Sequence, residues 1–265
     1  MRLLRQPGFL LSVLVLLVVA VAIAAPSLLA THDPYLSVPK ERLLPPSAEH
    51  LFGTDNLGRD LYSRVVHGAA LSIVSAALAV AVGVVVGGLV GLASGFLGGV
   101  VDFAVMRVVD VLVAIPGILL ALIVVATLGF GPVSIGLGVG LGAAGSFARV
   151  MRAQVLRVRN EEYVEAARTL GARLPAVVFQ HVLPNAARPV IAVAALELGT
   201  AILGVSALTF LGFGAPPPAP EWGALSSTGR DFIATQPWLS IIPGLVILAV
   251  VLAVNRIARA IGDER

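Results

Sequence analysis

Residues 165–184 read E-A-A-R-T-L-G-A-R-L-P-A-V-V-F-Q-H-V-L-P, a charged, helix-forming stretch set among long apolar runs. Outward from it, six runs near 9–29, 69–93, 108–129, 132–150, 190–211 and 238–254 are long enough, or nearly so, to cross a hydrocarbon core about 30 Å thick. Hydrophobic residues make up 58% of the 265-residue chain and charged residues 12%, against about 25% charge in a soluble domain. The expected fold class is therefore all-α and integral to the membrane. There is no cysteine, which excludes disulfides, thiolate metal clusters and thiol nucleophiles.

At the N-terminus, Arg2 and Arg5, an apolar run and the small residues Ala24 and Ala25 resemble a secretory signal. The run exceeds the roughly 7–15 residues of such a signal, so an uncleaved anchor helix is expected.

The net charge is +3, and the placement of the basic residues explains it without nucleic acid. With the chain starting inside and alternating, the inner segments hold Arg2, Arg5, Arg107, Arg149, Arg152, Arg157, Arg159, Arg168, Arg173, Arg188, Arg256, Arg259 and Arg265. The outer segments hold Lys40, Arg42, Arg59, Arg64 and Arg230. This bias predicts both termini inside. Two long loops follow: an outer one over 30–68 and an inner one over 151–189.

Within the inner loop, Val155, Leu156, Tyr163, Ala166, Ala167 and Leu170 follow a helical period. Gly171 fits a left-handed C-terminal cap, and Pro175 suits the first turn of a second helix. That helix would present Leu174, Val177, Val178 and Val182 on one face and end at Pro184. Periodicity alone leaves two uses for the pair: docking on another protein, or lying on the inner lipid surface among anionic headgroups.

The spacing of Glu165, Ala166, Ala167, Gly171, Leu183 and Pro184 resembles the EAA loop of permease subunits in binding-protein-dependent ABC importers. So do G-T-D-N-L-G-R-D (53–60), F-L-G-G-V-V-D-F-A-V-M-R-V-V-D (96–110), L-T-F-L-G-F-G (208–214) and P-P-P-A-P-E-W-G (216–223). The likeness is to the dipeptide, oligopeptide, nickel and glutathione branch, nearest to C-type subunits of dipeptide permeases. It implies the six-helix transmembrane subunit of a type I importer in the bacterial plasma membrane. It also implies a second permease, two ATPase domains carrying ATP and Mg, and an external binding protein as partners. In that family the EAA loop is the coupling helix that engages the ATPase. Two departures stand out: Val205 where members commonly carry an acid, and a tail after Asn255 without the usual G-D-G-L-R-D ending.

The expected organisation is an N-terminal helix and outer loop over 1–68, a core over 69–255 and a tail over 256–265. The substrate implied is a di- or oligopeptide, with nickel complexes or glutathione as alternatives. A self-sufficient secondary transporter is the rival class, and it would need ion-coupling acids near mid-membrane. Only Glu197 qualifies, as a residue either lining a pathway or pairing with another helix.

No catalytic or metal site is expected. The only lysine, Lys40, lies outside any P-loop pattern. His32, His50, His67 and His181 form no H-E-x-x-H, and Ser94 has no histidine base in a span. Gly83, Gly87, Gly91, Gly95 and Gly99, and the pairs Gly136/Gly140 and Gly138/Gly142, predict close helix contacts. Pro116 predicts a kink, and Arg107 and Asp110 an anchor at the inner interface. Asp55, Arg59 and Asp60 read either as an Asx-turn with a local ion pair or, from the resemblance, as a contact for the binding protein or substrate.

Overall fold

A computed structural model describes residues 7–263. Its helices are α1 (Pro7–Ala24), α2 (Leu61–Leu97), α3 (Gly99–Ala114), α4 (Gly117–Leu128), α5 (Pro132–Val158), α6 (Glu162–Thr169), α7 (Leu174–Ala176), α8 (Leu183–Phe210), α9 (Trp222–Arg230) and α10 (Trp238–Asp263). Five uninterrupted helical stretches are long and apolar enough to span a membrane, and the pair α3–α4 adds a broken sixth. Arg2, Arg5 and Arg265 lie outside the described residues.

Helix α2 has 37 residues, about 55 Å at about 1.5 Å per residue, so it extends well beyond the lipid core. It starts at Leu61, ahead of the expected run, because Asp60 accepts the Ser63 N–H at 2.7 Å and caps it. Its partner is α5, and the glycines decide how close they come. A Cβ on Gly87 would stand 2.7 Å from Phe147 Cβ, and one on Gly91 2.8 Å from Met151 Cβ. On α5, Gly140 receives Val82 while Gly138 receives Ala121 of α4. The four-residue repeat thus buries a seam in which backbone meets backbone. Gly99 is not part of it: α2 ends at Leu97 with Gly98 as its cap, and nothing lies within 4 Å of a Cβ at Gly99.

The third expected span is broken rather than kinked. Ile115 is extended (φ −81, ψ 129) before Pro116, as the proline ring demands of its predecessor, and α3 meets α4 at 91°. Pro184 also acts differently from expectation. Instead of ending a short helix, it sits in the first turn of α8, which is continuous with α7 through a π turn over Val177–Val182. The wider turn, with Leu183 N–H bonding Val178 O, leaves room for a ring that an α turn would exclude.

Two buried clusters hold the bundle. One, at the end where α2 starts, gathers Leu61, Val65, Ile202, Val205, Leu208 and Trp222 from α2, α8 and α9. The other, at the α6 end, gathers Phe147, Met151, Val155, Val164, Val177 and Val182.

Candidate functional site

At the end of the bundle that carries α6, α2, α3 and α5 are locked together by ions. Asp102 receives Arg152 Nε and Nη2, each at 2.5 Å, and the Ser94 hydroxyl. Arg159 Nη1 donates to Gly95 O at 2.6 Å. Farther along α3, Asp110 pairs with Arg149 at 2.9 Å, and Arg107 lies over the Phe103 ring.

On this base sits α6. Val164 is fully buried among Val155, Val158, Val177 and Val182, a burial worth about 1.5–3 kcal/mol. Arg168 stacks over Phe96 of α2 at 5.5 Å, which at an exposed site contributes about 0.5–1 kcal/mol. The valine contact therefore dominates the joint. After Leu170, Gly171 has φ +84, its N–H bonds Arg168 O, and Ala172 N–H bonds Ala167 O, both at 3.0 Å. These two bonds form a Schellman end that a left-handed glycine permits.

The opposite side of α6 faces outward. Glu165 and Ala166 are exposed and Ala167 is half-buried. Leu170 is 87% exposed, Leu174 64% and Phe179 65%. Leu174 is thus exposed instead of lying on the buried apolar face expected for it. Leu183 is half-buried and Pro184 exposed. The helix expected from Val155 onward is interrupted at residues 159–161, between α5 and α6.

A groove of about 230 Å³ lies between α4, α5 and α8, lined by Gly117, Ile118, Ala121, Val139, Ser146, Glu197, Thr200 and Gly204 among others. Glu197 is half-buried, and no side chain among the described residues bonds or ion-pairs with it.

At the opposite end of the bundle the loop over 30–60 folds back on the start of α2. Asp55 accepts N–H bonds from Leu57 and Arg59 and the Arg59 Nε at 2.7 Å. Asp60 receives His50 Nδ1 at 2.9 Å. Arg64 holds Pro34 O and Pro218 O. Gly53 and Gly58 take positive φ with loop backbone packed against them, so G-T-D-N-L-G-R-D is a folding unit. Asp55, Arg59 and Asp60 are all buried and spend their charge inside the loop.

Residues 83–264 match the family described as "Binding-protein-dependent transport system inner membrane component". The chain belongs to that family. Over 246 residues it is 39% identical to the dipeptide transport system permease protein DppC of Alkalihalophilus pseudofirmus, covering 92% of this chain and 80% of that one. It is 39% identical to the probable D,D-dipeptide permease DdpC of Escherichia coli, over 95% and 84%. The glutathione permease GsiD of Pectobacterium atrosepticum is 36% identical, over 82% and 72%. Among solved structures, an amino acid ABC transporter has a TM-score of 0.58 at 14% identity, over 76% of this chain and 94% of that one. The inward-facing MetNI methionine transporter also scores 0.58, at 20% identity, over 74% and 95%. The fold is that of a type I importer subunit, and the permease is a multi-pass protein of the bacterial inner membrane. It is a transport subunit rather than an enzyme, of a system that includes a partner permease, an ATPase and a binding protein.

Sequence reading of the permease missed two groups. The Asp102–Arg152 brace joins positions 50 residues apart, and no spacing rule reports such a pair. Glu221, within P-P-P-A-P-E-W-G, is fully buried; its Oε2 accepts the Ala215 N–H at 3.1 Å, and Oε1 has no partner. Burial pushes this carboxyl above the usual range, and the Ala215 bond opposes the shift. The folded protein therefore keeps the proton to a higher pH than the unfolded chain does. The resulting stability is complete below the unfolded value, about 4.3, and is lost as pH rises through the folded one. Between pH 4 and 8 the melting temperature in detergent is expected to fall in the wild type and to fall less in Glu221→Gln. Parallel profiles would count against this account.

Proposed function

We propose that this chain forms half of the translocation pathway of an ATP-driven importer of short peptides and receives its motion through α6. The observation that carries this reading is the exposure of Glu165 and Ala166 on α6, and of Leu170, Leu174 and Phe179 in the segment that follows, with α6 locked to the bundle by Val164. Small side chains at Ala166 and Ala167, with glycine at 171, let a partner's cleft approach the backbone. Glu165, Ala166, Ala167, Gly171, Leu183 and Pro184 are the coupling residues. A lipid-surface role fits less well, because this exposed segment carries the acids Glu162 and Glu165 along with Arg168 and Arg173 and so offers anionic headgroups no clear basic face.

The partners are a second, homologous permease, two ATPase domains binding ATP and Mg, and an external binding protein. α6 shares one end of the bundle with the starts of α1 and α8 and the ends of α2, α5 and α10. The arginine bias supports that end as the cytoplasmic one. Closure of the ATPases would shift the bundle between two states, and nucleotide sets their populations. The limits expected at 68 and 255 both fall inside continuous helices, α2 and α10, so they divide the chain by role and not by structure.

The substrate follows from the relatives named for dipeptides and for glutathione, itself a small peptide. In the groove, Glu197 has no side-chain partner among the described residues at membrane depth, where an unpaired carboxylate facing lipid costs about 2.5–3.5 kcal/mol. That cost supports reading Glu197 as facing the path between the two permeases. The deciding experiment is reconstitution of the full complex with its binding protein in proteoliposomes. Labelled dipeptide should accumulate only with ATP on the ATPase side, and Glu197→Gln should lower the rate about tenfold with assembly intact. Transport by this permease alone would overturn the reading, and wild-type uptake by Glu197→Gln would remove that residue from the path.

A further inference from the structure

Three side chains separated in the sequence converge at the outer end of α2. His32 Nδ1 lies 3.8 Å, and His50 Nδ1 2.9 Å, from one and the same oxygen, Asp60 Oδ1. The three donor atoms stand within 4.8 Å of one another, and the imidazole centroids are 4.8 Å apart.

Each donor is held by contacts that leave it turned toward the others. The Ser63 N–H takes the second Asp60 oxygen, Oδ2, at 2.7 Å, while Ser63 Oγ accepts the N–H groups of Thr31 and His32 at 3.2 and 2.9 Å. One serine thus pins both the carboxylate and the His32 backbone. His50 is fixed by Ser47, through His50 N–H to Ser47 Oγ at 3.1 Å and Ser47 N–H to His50 O at 2.8 Å. On the far edge of the His50 ring, Glu41 Oε2 stands 3.6 Å from Nε2. The Thr31 hydroxyl lies 3.0 Å from His32 Nδ1.

The geometry points to a site for a divalent transition metal, with Zn²⁺ as the best-fitting ion, held by His32 Nδ1, His50 Nδ1 and Asp60 Oδ1. Two imidazole nitrogens and one carboxylate oxygen suit zinc and disfavour magnesium or calcium. The His32 side chain is 38% exposed, which leaves a fourth position open to water. A carboxylate behind the distal ring nitrogen is the arrangement that fixes a ligating histidine's tautomer. On binding, the His50 ring hydrogen resides on Nε2 toward Glu41, and the Nδ1 lone pair goes to the metal instead of Nδ1–H to Asp60. The donors draw in to about 2.0–2.2 Å from the ion. Bound there, the ion staples the segment around His32, the turn at His50 and the start of α2 into one unit on the outer face. This assignment does not rest on the peptide reading.

The test uses the full permease complex, purified without a polyhistidine tag, stripped with chelator and titrated with Zn²⁺ by calorimetry. One zinc per permease chain is expected at micromolar affinity or better. His32→Ala, a change at an exposed ring, should weaken it at least tenfold, and Glu41→Gln by about ten- to a hundredfold. No zinc bound by the wild type, or equal affinity in His32→Ala, would overturn the site.

Discussion

A Glu165→Lys permease is expected to fold at the wild-type level and yet to lose at least nine-tenths of its ATP-driven uptake, through uncoupling or weakened docking of the ATPase. The carboxylate is exposed and has no side-chain partner among the described residues, so the fold should change by no more than about 0.5 kcal/mol. Tenfold in rate corresponds to about 1.4 kcal/mol. That is modest for a reversed charge in an apposed surface, where like charges cost several kcal/mol. Gly171→Val probes the same joint through the backbone. Its φ of +84 costs an L-residue about 1–2 kcal/mol, more when β-branched, and the Schellman end would open. No atom lies within 4 Å of a Cβ there, so the loss comes from conformation and docking rather than collision. Uptake, ATPase rate and complex yield should be measured together. Wild-type uptake by Glu165→Lys would remove α6 as the coupling element.

Gly91→Leu should have the larger effect on the fold itself. A Cβ at that position would be driven into Ala148 O and stand 2.8 Å from Met151 Cβ, and the obstacle is α5 backbone, which cannot rotate away. Overpacking in a core costs about 1–3 kcal/mol, and a whole leucine between helix backbones lies at or beyond the upper end. Monodisperse protein extracted in mild detergent should fall to a small fraction of the wild-type yield. Gly244→Ala is the control: it lies in α10 with nothing within 4 Å of the added carbon. Equal yields from the two variants would mean that the α2–α5 seam is looser than its glycines indicate.

Local rules read correctly wherever one segment decides the outcome. Gly171 closes α6 because a residue without a Cβ costs least at positive φ. Asp55 makes an Asx-turn because its carboxylate reaches N–H groups two and four residues on. The same rules failed at Pro116 and Pro184, where both residues interrupt an α turn. A local reading cannot tell a 91° break from a π turn that carries the helix through; the packing on either side chooses between them.

The sequence by itself determined that the chain lies in a bilayer and which segments are long and apolar enough to cross it, and it marked the stretch proposed above as a docking surface. Those follow from apolar length and from residue spacing within single stretches, both properties of neighbours along the chain. Only the tertiary structure decided that Asp102 meets Arg152, that Glu197 opens on a groove without a partner among the described residues, and that His32, His50 and Asp60 share one corner. Such meetings depend on how helices and loops remote in the chain pack, and no local preference encodes them.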